Sequence, residues 1–253
     1  MNILNNCTLC PRNCRVNRIE GKLGKCRAGI KPKIALADLH FFEEPCISGK
    51  EGSGTVFFTG CNLSCKFCQN YKISQGDIGK EYSIEELADI MLKQQEKGVN
   101  NINLVTPTIY AYQIVEAIKI AKSKGLSIPI VYNSSGYEKR ETIAMMKDGV
   151  YIINTSRGKL IDTDSLIERL EQGKIGGLGL DVYEDEEEFF MNDMSNSYIR
   201  DKDLSILLSM PNVVITSHQA FFTSEALNKI ASDTCENIKD IFEKGSSENE
   251  VKK

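Results

Sequence analysis

The stretch GYEKRETIAMMKDGVYIINTSRG, Gly136–Gly158, decides how this chain is read, because its two flanks ask for different chemistry. Within it, Glu141–Lys147 reads as a helix and Val150–Asn154 as an apolar strand that ends in a polar turn. The same alternation holds on both sides. Upstream, GTVFFTG (Gly54–Gly60), NINLVTP (Asn101–Pro107) and IPIVYNSSG (Ile128–Gly136) read as strands. Between them, SIEELADIMLKQQEKG is a helix with a capping box at Ser83 and Glu86, an apolar stripe of Leu87, Ile90 and Met91, and a stop at Gly98. Tyr110–Lys124 is a second helix, with Ile114, Ala117, Ile118 and Ala121 on one face. Downstream, Thr163–Gln172 reads as a helix and Gly179–Val182 and Asn212–His218 as strands. A final helix, Ser224–Lys244, turns Leu227, Ile230, Ala231, Ile238, Ile241 and Phe242 inward. Strands alternating with helices imply an α/β fold with mostly parallel strands.

The chain has 253 residues, enough for one large or two small domains. Hydrophobic content of 41% and charged content of 26% are ordinary for a soluble globular protein. A net charge of −4 gives no reason to expect nucleic acid, so small molecules are the expected partners. Met1–Lys33 is basic, and Glu184–Glu188 is a run of acids; both read as solvated surface. No apolar run approaches the roughly 18 residues of a membrane span. MNILNN has neither the basic start nor the apolar centre of a secretory signal, so a cytoplasmic location is expected. In that compartment the nine cysteines favour metal over disulfides, and all but Cys235 precede Asn70. Residues 1–54, rich in Cys, Gly and Lys, read as an irregular lobe that needs a metal to hold it.

GCNLSCKFCQN sets Cys61, Cys65 and Cys68 in a C-x3-C-x2-C array. Three thiolates on one tight loop can ligate three irons of a [4Fe–4S] cubane and leave the fourth iron open to a small molecule. With CTLCPRNCRVNR, EEPCISGKEGSGTVFFTGCNLSCKFCQNYKIS, NINLVTPT and IPIVYNSSGYE, this loop makes residues 1–140 resemble radical S-adenosylmethionine proteins, in the branch similar to pyruvate-formate-lyase activating enzymes. The resemblance implies part of a (β/α) barrel, S-adenosylmethionine as cofactor, Cys61, Cys65 and Cys68 as cluster ligands, and Phe67 as the aromatic beside the last of them. Many members carry a Gly-Gly-Glu turn after the second strand; this chain has Thr106-Pro107-Thr108, so no contact to the methionine end is carried over. A second set, Cys7, Cys10, Cys14 and Cys26, has spacing for zinc or another iron–sulfur cluster, with reduced, unliganded thiols as the alternative. Cys46 and His40 read as packing or polar contacts, and Cys235, on the face of Ala231, Ile238 and Phe242, as core.

After the seam near Arg140–Met146, three side chains suit hydride transfer to a keto acid. Arg157 can clamp a carboxylate and polarise a carbonyl. His218 can protonate a developing alkoxide, provided an acid orients it. Taken alone, each also reads blandly: a surface arginine, a core histidine, a solvated acid. KDGVYIINTSRGKLIDTDSLIERLEQGKIGGLGLDVYEDEEEFF and PNVVITSHQAFFTSEAL make Thr142–Lys244 resemble D-2-hydroxyacid dehydrogenases of the D-lactate dehydrogenase type. That resemblance implies Glu186, not Glu184, as the orienting acid, Thr155, Ser156 and Asp181 at the nicotinamide end of NAD, and pyruvate as substrate. A G-x-G-x-x-G turn opening a helix is absent, since the glycines of GKIGGLG (Gly173–Gly179) precede a strand. NAD is therefore expected to bind weakly or not at all.

The expected organisation is a Cys-rich lobe (1–54), partial radical-type (β/α) units (55–141), the second half of a Rossmann-type NAD-binding domain (142–245) and a disordered tail (246–253). The resemblance switches near Arg140–Met146, where ETIA suits either side; the join reads as a fusion, a recombined gene or an assembly error. The leading expectation is a cluster-binding radical protein fused to a dehydrogenase segment, each half incomplete. The alternatives are an NAD-dependent D-2-hydroxyacid dehydrogenase or a non-functional fusion product, with oligomeric state open. Packing between halves never selected for each other is expected to leave exposed apolar patches.

Overall fold

The computed structural model describes residues 3–41, 48–190, 192–193, 197–220 and 222–250, so Cys46 and the last residues of the tail lie outside the described residues. Two compact units divide them, Met1–Met146 and Lys147–Lys253.

In the first unit, five strands lie in the order β3-β1-β2-β4-β5: β1 (Lys33–His40), β2 (Ser53–Phe58), β3 (Lys80–Glu81), β4 (Ile102–Val105) and β5 (Ile130–Asn133). β2, β4 and β5 are parallel, with Val56 beside Leu104 and Leu104 beside Tyr132. β1 runs antiparallel to both β2 and β3. Helices α1 (Ile84–Glu96) and α2 (Ala111–Ser123) supply Leu87, Met91 and Ile114, which pack with Val56, Phe58 and Leu104 at 2% exposure or less. The Ser83–Glu86 capping box starts α1: the Glu86 amide donates to Ser83 Oγ at 3.1 Å and the Ser83 amide to Glu86 Oε2 at 2.6 Å. Two expectations need correction. The lobe read as irregular contains β1, whose KIALADLH fully buries only Ile34, with Ala37 partly buried against the core, and so carries a weak apolar signal. The expected barrel portion is an open mixed sheet among the described residues: β1 pairs with β2, and three parallel strands are too few to curve closed.

In the second unit, β6 (Val150–Asn154), β7 (Ile175–Leu180) and β8 (Val213–Ile215) form a parallel sheet in that order. Helices α3 (Thr163–Glu171) and α4 (Lys202–Ser209) bring Leu166, Leu170, Leu204 and Leu207 into one cluster with Leu178 and Leu180. The outward positions stay apolar and uncovered: Tyr151, Ile153 and Val214 are 78%, 66% and 65% exposed. Helix α5 (Ser224–Lys244) keeps its apolar stripe but buries none of it, with Phe242 at 86% exposure and Cys235 exposed as well. The inward face and the core cysteine expected there are both overturned, because an amphipathic stripe specifies a helix without supplying a surface to cover it. Gly245, at φ +75°, ends α5, and Ser247 and Asn249 hydrogen-bond back to Asn237. No helix among the described residues is long and apolar enough to cross a membrane.

Candidate active site

The parallel register that sets Leu180 beside Ile215 brings the residues following β7 and β8 together. Asp181 comes directly after β7 and is 5% exposed. Its Oδ1 accepts from Thr216 Oγ1 at 2.5 Å and from the Gln219 amide at 2.7 Å, and its Oδ2 from the Ala220 amide at 2.8 Å. Burial pushes the Asp181 carboxyl up, but these donors outweigh it and hold the group below the usual aspartate value. The Asp181 carbonyl also takes the His218 amide at 2.8 Å. Pinned on both sides, His218 adopts φ +54°, a left-handed conformation that a non-glycine residue holds only when its surroundings impose it.

This backbone aims the imidazole at an acid. His218 Nδ1 lies 3.0 Å from Glu186 Oε1, with the two side chains 34% and 19% exposed. A carboxylate only accepts, so Nδ1 carries the hydrogen and Nε2 is left to face a substrate. Glu186 Oε2 is held in turn by the Tyr183 amide at 3.2 Å. Glu184 does different work: it accepts from Thr163 Oγ1 at 2.5 Å and from the Thr163 amide at 3.3 Å at the start of α3. The acidic run is therefore divided, one carboxylate spent on a helix end and one on the histidine.

Arg157 follows β6 in a turn organised by Asn154, whose Oδ1 accepts from the Ser156 amide at 3.1 Å and whose Nδ2 donates to the Arg157 carbonyl at 2.9 Å. The exposed guanidinium rests on the Ser156 carbonyl at 2.6 Å. A methyl group on Gly158 would run into the Tyr183 and Glu184 backbone, so only glycine lets the arginine turn sit against the acidic loop. Arg157 and Glu186 line one open groove of about 540 Å³, with Lys159 beside them. Sequence reasoning missed Asn154, Gly158 and Tyr183. The usable signal was a polar residue, Asn154, closing an apolar strand.

Thr155 and Ser156 are exposed in the same turn, available to a nicotinamide. Asp181 is not, since both its oxygens are occupied within the chain. Among the described residues of 147–253, the pyrophosphate end is not provided for. Asp162 and Glu184 carboxylates already cap the start of α3. Gly176 and Gly177 lie within β7, where a side chain would meet the Gly149 backbone and the Tyr151 ring.

In the first unit, Cys61, Cys65 and Cys68 stand half-buried on the loop after β2. The Leu63 amide donates to Cys61 Sγ at 3.4 Å, and Cys68 Sγ lies 3.3 Å from Ser74 Oγ. Burial is the main influence raising the Cys61 pKa. Phe67 points away, 87% exposed. At the Thr106-Pro107-Thr108 turn Glu138 reaches in: Thr108 Oγ1 donates to its Oε1 and Tyr132 OH to its Oε2 at 3.4 Å. The His40 and Phe57 rings are tilted against each other, with centroids 5.9 Å apart. Cys7, Cys10, Cys14 and Cys26 share the lining of one cavity. Among the described residues, no group of three or more His, Cys, Asp or Glu is closed into an arrangement that could hold a metal ion.

The chain is an α/β protein that is similar over part of its length to 2-hydroxyacid dehydrogenases and over another, overlapping part to an iron–sulfur domain. More particularly, residues 103–220 match the NAD binding domain of D-isomer specific 2-hydroxyacid dehydrogenases, and residues 47–155 match a 4Fe-4S single cluster domain. The two matches overlap across Arg140–Met146 and so mark no single crossover there. The chain is 41% identical over 136 residues to 2-hydroxyacid dehydrogenase homolog 2 of Schizosaccharomyces pombe, covering 53% of this chain and 41% of that protein. It is 55% identical over 98 residues to the 2-hydroxyacid dehydrogenase homolog of Haemophilus influenzae, covering 39% and 30%. With the D-lactate dehydrogenase of Escherichia coli it shares 39% over 152 residues, covering 60% and 43%. The chain thus spans less than half the length of each of these three relatives. Among solved structures, D-lactate dehydrogenase from Lactobacillus jensenii aligns with a TM-score of 0.46 at 21% identity, covering 71% of this chain and 61% of that one.

Proposed function

We propose that the Glu186–His218 pair serves a D-2-hydroxyacid dehydrogenase reaction, the reduction of a 2-oxoacid such as pyruvate to the 2-hydroxyacid. The observation that carries this reading is the 3.0 Å contact between His218 Nδ1 and Glu186 Oε1, on a loop that Asp181 pins. Glu186 orients the ring, and Nε2 delivers the proton to the carbonyl oxygen. Arg157, released from the Ser156 carbonyl, pairs with the substrate carboxylate across the groove. NADH supplies the hydride when bound; Thr155 and Ser156 fit its nicotinamide end, and nothing described in 147–253 grips its pyrophosphate, so nucleotide affinity is low. The test is pyruvate-dependent oxidation of NADH by the full chain at high nucleotide. His218→Gln should lower the rate by about 10²- to 10⁴-fold, the usual worth of a positioned proton donor. Absence of turnover at any NADH concentration rejects the reading.

A second reading is favoured by the Cys61–Cys68 loop and the overlapping iron–sulfur match. Cys61, Cys65 and Cys68 would hold a [4Fe–4S] cluster, with the Leu63 amide supporting the Cys61 sulfur, and the open iron would take S-adenosylmethionine. Anaerobic reconstitution should give brown protein, and Cys65→Ala should remove the colour; a colourless wild type counts against it. On either reading the partners are small molecules, with no role for nucleic acid or membrane.

A further inference from the structure

Cys7, Cys10, Cys14 and Cys26 line one small, partly open cavity of about 10 Å³, together with Arg18 and Asn62. That is room for a single water or a single ion. The turns that carry these thiols are built tightly. The Cys7 amide bonds the Val16 carbonyl at 3.0 Å, and the Arg15 amide the Cys7 carbonyl at 2.9 Å. Asn13 and Arg15, on either side of Cys14, and Arg27, after Cys26, hold φ values of +46°, +56° and +59°. Three non-glycine residues in left-handed backbone beside two cysteines are a conformational cost that something at this place repays. Gly24 leaves space for Cys14: a side chain there would stand 3.0 Å from its Sγ. Donors already face the sulfurs, the Lys25 amide toward Cys14 at 3.5 Å and Arg18 Nη2 toward Cys26 at 3.7 Å.

Arg18 is the second, independent observation. It is 2% exposed, its Nη1 bonds the Ile109 carbonyl at 2.7 Å, and its Nε has no hydrogen-bond partner. No carboxylate pairs with it among the described residues. A guanidinium does not give up its proton, so its burial calls for a negative charge nearby. The ionisable groups around this cavity that can become negative are the four thiols. A divalent ion on four thiolates carries a net charge of −2, which Arg18 and Arg12, also on the lining, balance as +1 and +1.

We propose that Cys7, Cys10, Cys14 and Cys26 bind one divalent, thiolate-preferring metal ion, zinc by its tetrahedral sulfur chemistry, as a structural site independent of Cys61, Cys65 and Cys68. Binding turns the sulfurs inward about their Cα–Cβ bonds. The ion then fastens the N-terminal segment, which already reaches the sheet unit through Arg18 on Ile109 and through Thr142 Oγ1 on the Leu9 carbonyl at 2.6 Å.

The test is metal content of the full chain, purified from cells supplied with zinc and iron, for wild type, Cys65→Ser and Cys10→Ser. One zinc per chain should be present in wild type and in Cys65→Ser and lost in Cys10→Ser. Because Cys10→Ser can fail through folding, the wild type is also titrated with cobalt(II), which should give the charge-transfer and d–d bands of a tetrahedral tetrathiolate. Wild type without zinc and without cobalt–thiolate bands overturns the proposal. So does iron–sulfur absorption that persists in Cys65→Ser and disappears in Cys10→Ser, which would make this set a second cluster.

Discussion

The two units of the chain solve opposite problems. In the first, core residues such as Val56, Leu87, Leu104 and Ala117 are fully buried, and the chemistry-bearing thiols sit on loops whose sulfurs are not drawn together. In the second, one face of the sheet is bare at Tyr151, Ile153 and Val214, yet the polar site is closely hydrogen-bonded from Asn154 through Asp181 to Ala220. The difference teaches that an oriented histidine–carboxylate pair is a local construction. It needs two adjacent strand ends and a few backbone amides, and it survives beside apolar surface that nothing described covers. A pyrophosphate grip is less portable, because it needs a free helix start that Asp162 and Glu184 have here taken.

The largest effect expected is in the cores. Leu104→Ala in the first unit should destabilise by about 2–5 kcal/mol, the cost of a cavity among well-packed neighbours. Ile153→Ala on the bare face of β6 should change stability by no more than about 0.5 kcal/mol. Urea midpoints at constant slope measure both, and a large loss at Ile153 would show that this face is covered in solution. Gly158→Ala comes next. Its methyl group must displace the Tyr183–Glu184 backbone, for about 1–3 kcal/mol of overpacking. Because that backbone carries the Tyr183 amide that holds Glu186, pyruvate reduction should fall further than stability does. Equal losses in both would reduce Gly158 to a packing role.

Much of this architecture was legible from pattern. Val150–Asn154 and Ser224–Lys244 coincide with the observed elements because alternation and a long amphipathic stripe are strong local signals. Strand β1 and helix α4 were not read: one buries little on either side, and the other is short and follows an acid-rich loop. The burial of the α5 stripe was misjudged for a different reason, since periodicity states which residues share a face and says nothing of what lies opposite. Around the site, the choice between Glu184 and Glu186 had rested on family register alone. Its physical ground is tertiary: Thr163, two elements away, claims Glu184. Gly158 escaped notice because the backbone it approaches is remote in sequence.

The smallest effect is the most telling about the two environments, because buried Asp181 in one unit and half-buried Glu138 in the other titrate in opposite senses. Asp181 is pushed up by burial but pulled further down by Thr216, Ala220 and Gln219, so its folded pKa lies below its unfolded one. Its contribution is present above the unfolded value of about 3.9 and is lost as pH falls through the lower folded value. Glu138 is raised, by burial first, against the hydrogen bonds from Thr108, Ser134 and Tyr132. Its contribution is present below the unfolded value of about 4.3 and is lost as pH rises through the folded one. Stability measured against Asp181→Asn should therefore narrow toward acid, and against Glu138→Gln should narrow toward neutral pH. If both differences moved the same way, burial alone would govern the two carboxylates, and the amides around Asp181 could no longer be credited with holding the His218 loop.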